Sequence, residues 1–310
     1  MGSVIFRHCL FFMSNQSKAY LFAIASILCW SSISTAFKLS LTHLSPDGLL
    51  LFASFSATVF LFALVVLDGS ILLSSPITNL GKSLIPGLLN PFVYYLMLFE
   101  AYSRLRAQEA QALNYTWAIV LAMFSIWLLK ERFKVSDFTA LLVSFVGVVI
   151  ISTKGKVLSL QFDDPIASVI AVLTSVVWAL YWVINVKDKR SAGIKLFYNF
   201  LIGFMAICCY LLATRKPIFR NNANIIPALL GGVYVGLFEM GLTFLLWFKA
   251  LHYTNNTARI SNLIFVTPFV SLLFIYGLLK ESIHPATVWG LGLIVLSNII
   301  QKSKLFKRNA

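Results

Sequence analysis

Charge is what this chain has least of. Only 12% of its 310 residues are Asp, Glu, Lys or Arg, with 11 acids against 25 bases. Soluble domains carry about a quarter charged residues, so an ordinary aqueous fold is excluded. Cysteine and histidine are as sparse, four of each. Cys9, Cys29, Cys208 and Cys209 lack zinc-ligand spacing and the histidines form no ligand pair, so no metal centre and no cofactor are expected. Alternating period-2 runs are missing too, which removes a membrane barrel and leaves a helical bundle. The first 13 residues hold only a short apolar patch broken by Arg7 and His8, so no cleavable signal peptide is expected. A polar stretch and then the first long apolar run follow Met13, which is the expected start.

Long apolar runs are what is present. Hydrophobic residues make up 59% of the chain and the mean hydropathy is +0.85. A spanning helix needs about 20 mostly apolar residues. Ten such runs lie near 19–40, 48–67, 84–103, 107–129, 137–153, 165–187, 191–213, 225–250, 256–279 and 285–302. The expected fold class is therefore all-α, a polytopic membrane bundle of ten transmembrane helices.

The runs repeat. Leu128, Leu129, Lys130 and Glu131 return 150 positions later as Leu278, Leu279, Lys280 and Glu281. Gly87, Leu88, Leu96, Phe99 and Ala101 return at a spacing of 149 as Gly236, Leu237, Leu245, Phe248 and Ala250, and Trp30 returns as Trp178. One unit is written twice, residues 19–156 and 165–304, between short tails at 1–18 and 305–310. Five spans per copy make the second copy enter the bilayer from the opposite side, so the halves are expected to be inverted, the geometry of alternating access. Fourteen loop bases fall on the side of the termini and eight on the other, which predicts both termini in the cytoplasm of a prokaryotic cell membrane. The net charge of +14 is spread over loops rather than one basic face, so nucleic acid is not an expected partner.

Polar groups inside apolar spans are costly, so each is a candidate for a binding site. Glu239 sits mid-way along the eighth run, and its repeat counterpart in the third is Asn90, beside Pro91. In the fourth run Gln108, Gln111 and Tyr115 form a polar stripe, with Asn114 and Trp117 beside it. In the sixth run Trp178, Tyr181, Trp182 and Asn185 occupy one face at i, i+3, i+4 and i+7. Trp30, Ser34, Phe37 and Lys38 form a weaker stripe in the first run, with snorkelling to the interface as the other reading of Lys38. The ninth run carries Arg259, Asn262, Thr267 and Pro268. The expected substrate-binding set is Trp30, Lys38, Asn90, Tyr94, Gln111, Asn114, Tyr115, Trp117, Trp178, Tyr181, Trp182, Asn185, Glu239, Arg259 and Asn262. Structural readings fit the rest: Glu100 pairs with Arg104 at i+4, Glu109 suits a helix start, Asp163 and Asp164 sit in a solvated linker, and Gly87, Gly231, Gly232 and Gly236 serve close packing.

Over residues 19–304 the chain resembles the ten-helix EamA-type members of the drug/metabolite transporter superfamily. The resemblance rests on the two copies, the turns Leu128–Phe133 and Leu278–Ile283, and Trp30-Ser31-Ser32 in the first run. The stretch Ala110–Trp117 is similar to the Asn-Tyr-x-Trp-Pro segment of the aromatic amino-acid exporters, with Ala118 in place of the proline. Trp178-Ala179-Leu180-Tyr181 resembles another segment of that branch. The resemblance implies a central cavity, alternating access and export of a small metabolite without a cofactor.

The expected function is secondary transport, exporting or exchanging amino acids, possibly aromatic ones, by a monomer or homodimer in the lipid bilayer, with proton coupling if Glu239 titrates. The alternative within that class is uptake or exchange of nucleotide-like or phosphorylated metabolites, for which only Lys38, Lys249 and Arg259 supply inward bases. Outside it stands a polytopic membrane enzyme or lipid-handling protein, although no nucleophile–base or metal-ligand set is visible.

Overall fold

A computed structural model describes residues 14–69, 76–117, 119–121, 123–124, 135–157, 164–255, 260 and 263–302. These residues form helices and their connections, and one isolated antiparallel bridge between Leu44 and Phe219. In chain order the helices are α1 (Asn15–Leu41), α2 (Pro46–Leu67), α3 (Pro76–Gly87), α4 (Tyr94–Arg104), α5 (Ala107–Asn114), α6 (Val135–Ser152), α7 (Pro165–Lys187), α8 (Ala192–Thr214), α9 (Ile225–Phe238), α10 (Leu242–Tyr253), α11 (Thr267–Phe274) and α12 (Pro285–Lys302). A π-helical turn, Leu88–Val93, joins α3 to α4, and another, Ile275–Leu279, ends α11.

Six helical segments are long and apolar enough to cross a membrane, and three shorter apolar ones accompany them. The fourth expected span is interrupted: α5 stops at Asn114, Tyr115 and Thr116 turn, and helix resumes at Trp117. Helix starts follow local chemistry. Ser14, Ser45, Asp164, Ser191 and Asn224 each accept a hydrogen bond from a free first-turn N–H, the usual N-cap arrangement.

The exterior is as apolar as the core, which holds Phe99, Phe200, Leu49 and Leu50. Phe145, Leu212, Leu230, Leu273 and Trp289 are each more than 60% exposed, whereas Ser31, Ser54, Thr174, Asn199, Ser271 and Ser297 are fully buried. In water such an apolar exterior would drive aggregation; against lipid tails it costs nothing, and inside the bundle most of these polar groups donate to backbone carbonyls, as Ser31 does to Thr267 and Thr174 to Ala171. The protein is a polytopic membrane bundle.

The packing pairs correspond between the two copies. Helix α1 lies against α9, α10 and α11, while α7 lies against α4, α5 and the turn at Leu88–Val93. Helix α2 packs on α8 and α9, α8 on α2 and α3, and α6 on α12. Glycines permit the closest approaches. A side chain at Gly87 would meet the Asn199 carbonyl, and one at its repeat counterpart Gly236 would meet the Ala53 carbonyl. Gly147 and Gly290 each face the other's carbonyl oxygen. Gly231 and Gly232 rest on Ser40 and Phe52. Close packing, the expected role of these glycines, is what they do.

One end of the bundle is tied by loop contacts. Ser45 N–H donates to the Ile218 carbonyl at 3.0 Å and Arg220 N–H to that of His43 at 2.9 Å. Arg104 grips Asp164 with two hydrogen bonds of 2.9 and 2.8 Å. Its expected partner Glu100 is farther, at 3.9 Å. Asp164 is thus a helix cap and an ion-pair partner rather than a solvated linker. The cap from the Ala167 N–H, then Arg104, holds its carboxyl below the usual range. Glu109 has Lys154 at 3.8 Å. The second repeat turn docks here as well: Lys280 takes a left-handed conformation, and Glu281 accepts from the Ala107 N–H at 3.3 Å. The first copy of that turn, Leu128–Glu131, lies outside the described residues.

Candidate functional site

Two helices are broken mid-way, at repeat-equivalent positions. Between α3 and α4, Asn90 leaves helical geometry at φ −145° and ψ 117°. Between α9 and α10, Glu239 closes the first helix, and Gly241, at φ −123° and ψ −87°, precedes the second. Thr243 donates its hydroxyl to the Phe238 carbonyl that the break leaves over. Unwound backbone inside a membrane bundle is tolerated where protein or a cavity can satisfy it.

A cavity of about 410 Å³ lies against the second break. Its wall includes Glu239, Trp30, Ser34, Tyr94, Gln111, Asn114, Tyr115, Trp117, Trp178 and Trp182. Glu239 accepts a hydrogen bond from the Tyr95 hydroxyl at 3.0 Å. From there aromatic contacts run continuously: Tyr95 to Tyr94 at 4.7 Å, Tyr94 to Trp178 at 4.8 Å, Trp178 to Phe244 at 6.2 Å, Phe244 to Trp30 at 5.7 Å and Trp30 to Trp247 at 5.6 Å between ring centres. Asn114 donates to Thr174 at 2.7 Å, and Tyr102, also on the wall, shares a hydrogen bond with Ser34 at 2.9 Å.

The wall is built in repeat-equivalent pairs. Trp30 and Trp178, and Ser34 and Trp182, stand 148 positions apart; Leu98 and Trp247, and Tyr102 and Leu251, stand 149 apart; Asn114 and Ile264 stand 150 apart. Corresponding helix positions therefore reach the same space from both copies.

Four expected residues lie off this wall. Lys38 turns its ammonium onto the Tyr102 and Leu105 carbonyls, at 2.8 and 2.7 Å, and so caps α4. Asn185 donates to the Tyr181 carbonyl at 2.8 Å and accepts from Asn199 at 3.2 Å. Asn90 and Tyr181 belong to the same cluster, where the Tyr181 hydroxyl meets the side chains of Asn199, Asn90 and Asn185. The sixth-run stripe thus divides. Trp178 and Trp182 face the cavity, while Tyr181 and Asn185, rotated by about 60°, face α8. Arg259 and Asn262 lie outside the described residues. Sequence reasoning passed over Phe244, Trp247, Phe248 and Leu251, all on the wall. Their i, i+3, i+4, i+7 spacing, the same as in the sixth run, is the signal that marks them.

Among known proteins, the EamA-like transporter family matches twice, at residues 17–153 and 165–300. The chain belongs to that family. EamA-like proteins are members of the drug/metabolite transporter superfamily. An uncharacterized transporter of Clostridium kluyveri is 30% identical over 236 residues, covering 74% of this chain and 75% of its own. Protein PecM of Dickeya dadantii is 25% identical over 239 residues, covering 75% and 77%. A crystal structure shares the fold with a TM-score of 0.61 at 21% identity, covering 94% of this chain and 98% of the other. This EamA-type protein is a membrane transporter of small molecules.

Proposed function

We propose that this EamA-type protein is a secondary transporter that exports or exchanges amino acids, aromatic ones among them, through a central cavity between two inverted five-helix halves. The observation that carries the reading is the wall itself, to which both copies contribute at equivalent positions. The matched helix pairings and the paired approaches at Gly87 and Gly236 support a two-fold relation between the copies, which gives each contact a mate, and an odd number of spans per copy would lay its axis in the membrane plane. Exchange of the two halves' conformations would move the cavity opening from one side of the membrane to the other. The side with the termini is read as cytoplasmic from the loop charges. Rings of Trp30, Trp178 and Trp182 offer stacking surface, and Gln111, Asn114 and Tyr115 offer directional hydrogen bonds, the mixture typical of small-molecule sites.

Glu239 is the proposed coupling group, taking a proton when the substrate leaves. Counterflow of labelled aromatic amino acids into proteoliposomes tests both parts. Wild-type protein should catalyse exchange that varies with pH. A Glu239→Gln variant should lose that pH dependence, and full, equally pH-dependent transport by it would refute the coupling role. The two described bases do not favour the phosphorylated-substrate alternative: Lys38 is spent on carbonyls, and Lys249 is exposed with its ammonium 5.6 Å from the Phe22 ring, while Arg259 lies outside the described residues.

A further inference from the structure

We propose that the cavity recognises the ammonium group of its substrate, so that an amine without a carboxylate binds more tightly than the amino acid built on the same scaffold. The proposal rests on the reading of this cavity as the transport site and narrows its substrate class.

Three observations carry it. First, Glu239 is the single formally charged side chain among the described wall residues. Tyr95 donates to its carboxylate at 3.0 Å, and Tyr94, Tyr102 and Tyr115 stand on the same wall. Second, more than half the wall is aromatic, and the rings nearest the carboxylate form one connected set through Tyr94 and Trp178. Ring faces are electron-rich, so they attract a cation and repel an anion, most strongly where water is excluded. Third, among the described residues Glu239 has one hydrogen-bond donor, Tyr95, for a carboxylate that accepts several. A half-buried carboxylate facing an aromatic cavity with few donors is costly, and an arriving ammonium group offsets that cost directly.

A zwitterion brings the same ammonium group but also a carboxylate. That second charge meets the Glu239 field, and the described wall offers it only neutral donors, such as the Gln111 and Asn114 amides. An anion without an amine meets repulsion from the carboxylate and from the ring faces, with nothing to offset it. The expected order is amine, zwitterion, anion.

The test is isothermal titration calorimetry of the purified full-length protein at neutral pH. The ligands are 2-phenylethylamine, phenylalanine and 3-phenylpropionate, one ring and chain with three charge states. The amine should bind at least about tenfold tighter than phenylalanine, and phenylpropionate should give no saturable heat. Glu239→Gln should abolish the amine preference, and Tyr95→Phe should change affinity for the amine while keeping the order. Phenylalanine binding as tightly as the amine overturns the inference and leaves amino-acid transport standing. Phenylpropionate binding tightest overturns both. The wild-type comparison needs no variant, so a poorly folded Glu239→Gln protein does not shield the inference.

Discussion

The two helix breaks occupy the same place in the two copies and hold opposite chemistry. At the first, Asn90 is fully packed among Tyr181, Asn185 and Asn199, away from the cavity. At the second, Glu239 looks into the cavity. The difference comes from the neighbours that repeat spacing assigns. Tyr181 and Asn185 beside Asn90 correspond, at a spacing of 148, to Ile33 and Phe37 in the other copy, so the first break sits in a polar cluster while Glu239 at the second has the Tyr95 hydroxyl. The wall is divided in the same way. The first copy supplies Ser34, Tyr102, Gln111 and Asn114, while the second supplies Trp182, Leu251, Phe248 and Ile264 around its one carboxylate. Duplication fixes where side chains reach the cavity, and later divergence decides what each does there. A cavity with amides and hydroxyls from one copy and a lone carboxylate among rings from the other suits an amphipathic molecule held in one orientation.

Exchanging the residues at the two breaks should break this comparison most severely. An Asn90→Glu, Glu239→Asn double variant keeps the composition but moves the carboxylate into the asparagine cluster. Transport in proteoliposomes should fall at least about tenfold, the scale of a lost buried charge interaction. Retained transport would mean that position relative to the cavity does not matter. The paired glycines offer a smaller and more even effect. Gly87→Val and Gly236→Val should each lower the melting temperature in detergent by similar amounts, corresponding to about 1–3 kcal/mol of overpacking. A large inequality would mean that the copies do not share backbone geometry there. The smallest effect concerns the tied end of the bundle. The Asp164 carboxyl is held below its usual range by the Ala167 N–H and Arg104. It therefore adds stability above the unfolded value of about 4 and loses that contribution as pH falls through its own lower value. Asp164→Asn should make the melting temperature less sensitive to acid below about pH 4. A variant that tracks wild type throughout would remove the ion pair from the account.

Much of this architecture was legible because it repeats. The two copies and the close packing at Gly87 and Gly236 follow from spacing and composition. Other features turned on small rotations. Tyr181 and Trp182 are adjacent in one stripe, yet only the tryptophan reaches the cavity, and a broad polar face does not say which edge of it does. Lys38 could be read as snorkelling or as cavity-lining, but its ammonium finds the carbonyls that end α4, which are close only once α1 and α4 pack. The stripe Phe244, Trp247, Phe248 and Leu251 escaped notice because, in a membrane, apolar residues suit lipid and cavity alike. Nothing local announces the turn at Tyr115 and Thr116, where neither proline nor glycine occurs.

The chain has seven tryptophans, and five of them, Trp30, Trp117, Trp178, Trp182 and Trp247, stand on the cavity wall. Trp289 faces outward, 74% exposed. The protein thus carries its own optical probe, with most of its ultraviolet emission arising at the place where a substrate would sit. Occupancy could be followed in unlabelled protein as a change in emission, and a Trp289→Phe replacement would remove the contribution of the one described tryptophan that faces outward without touching the cavity.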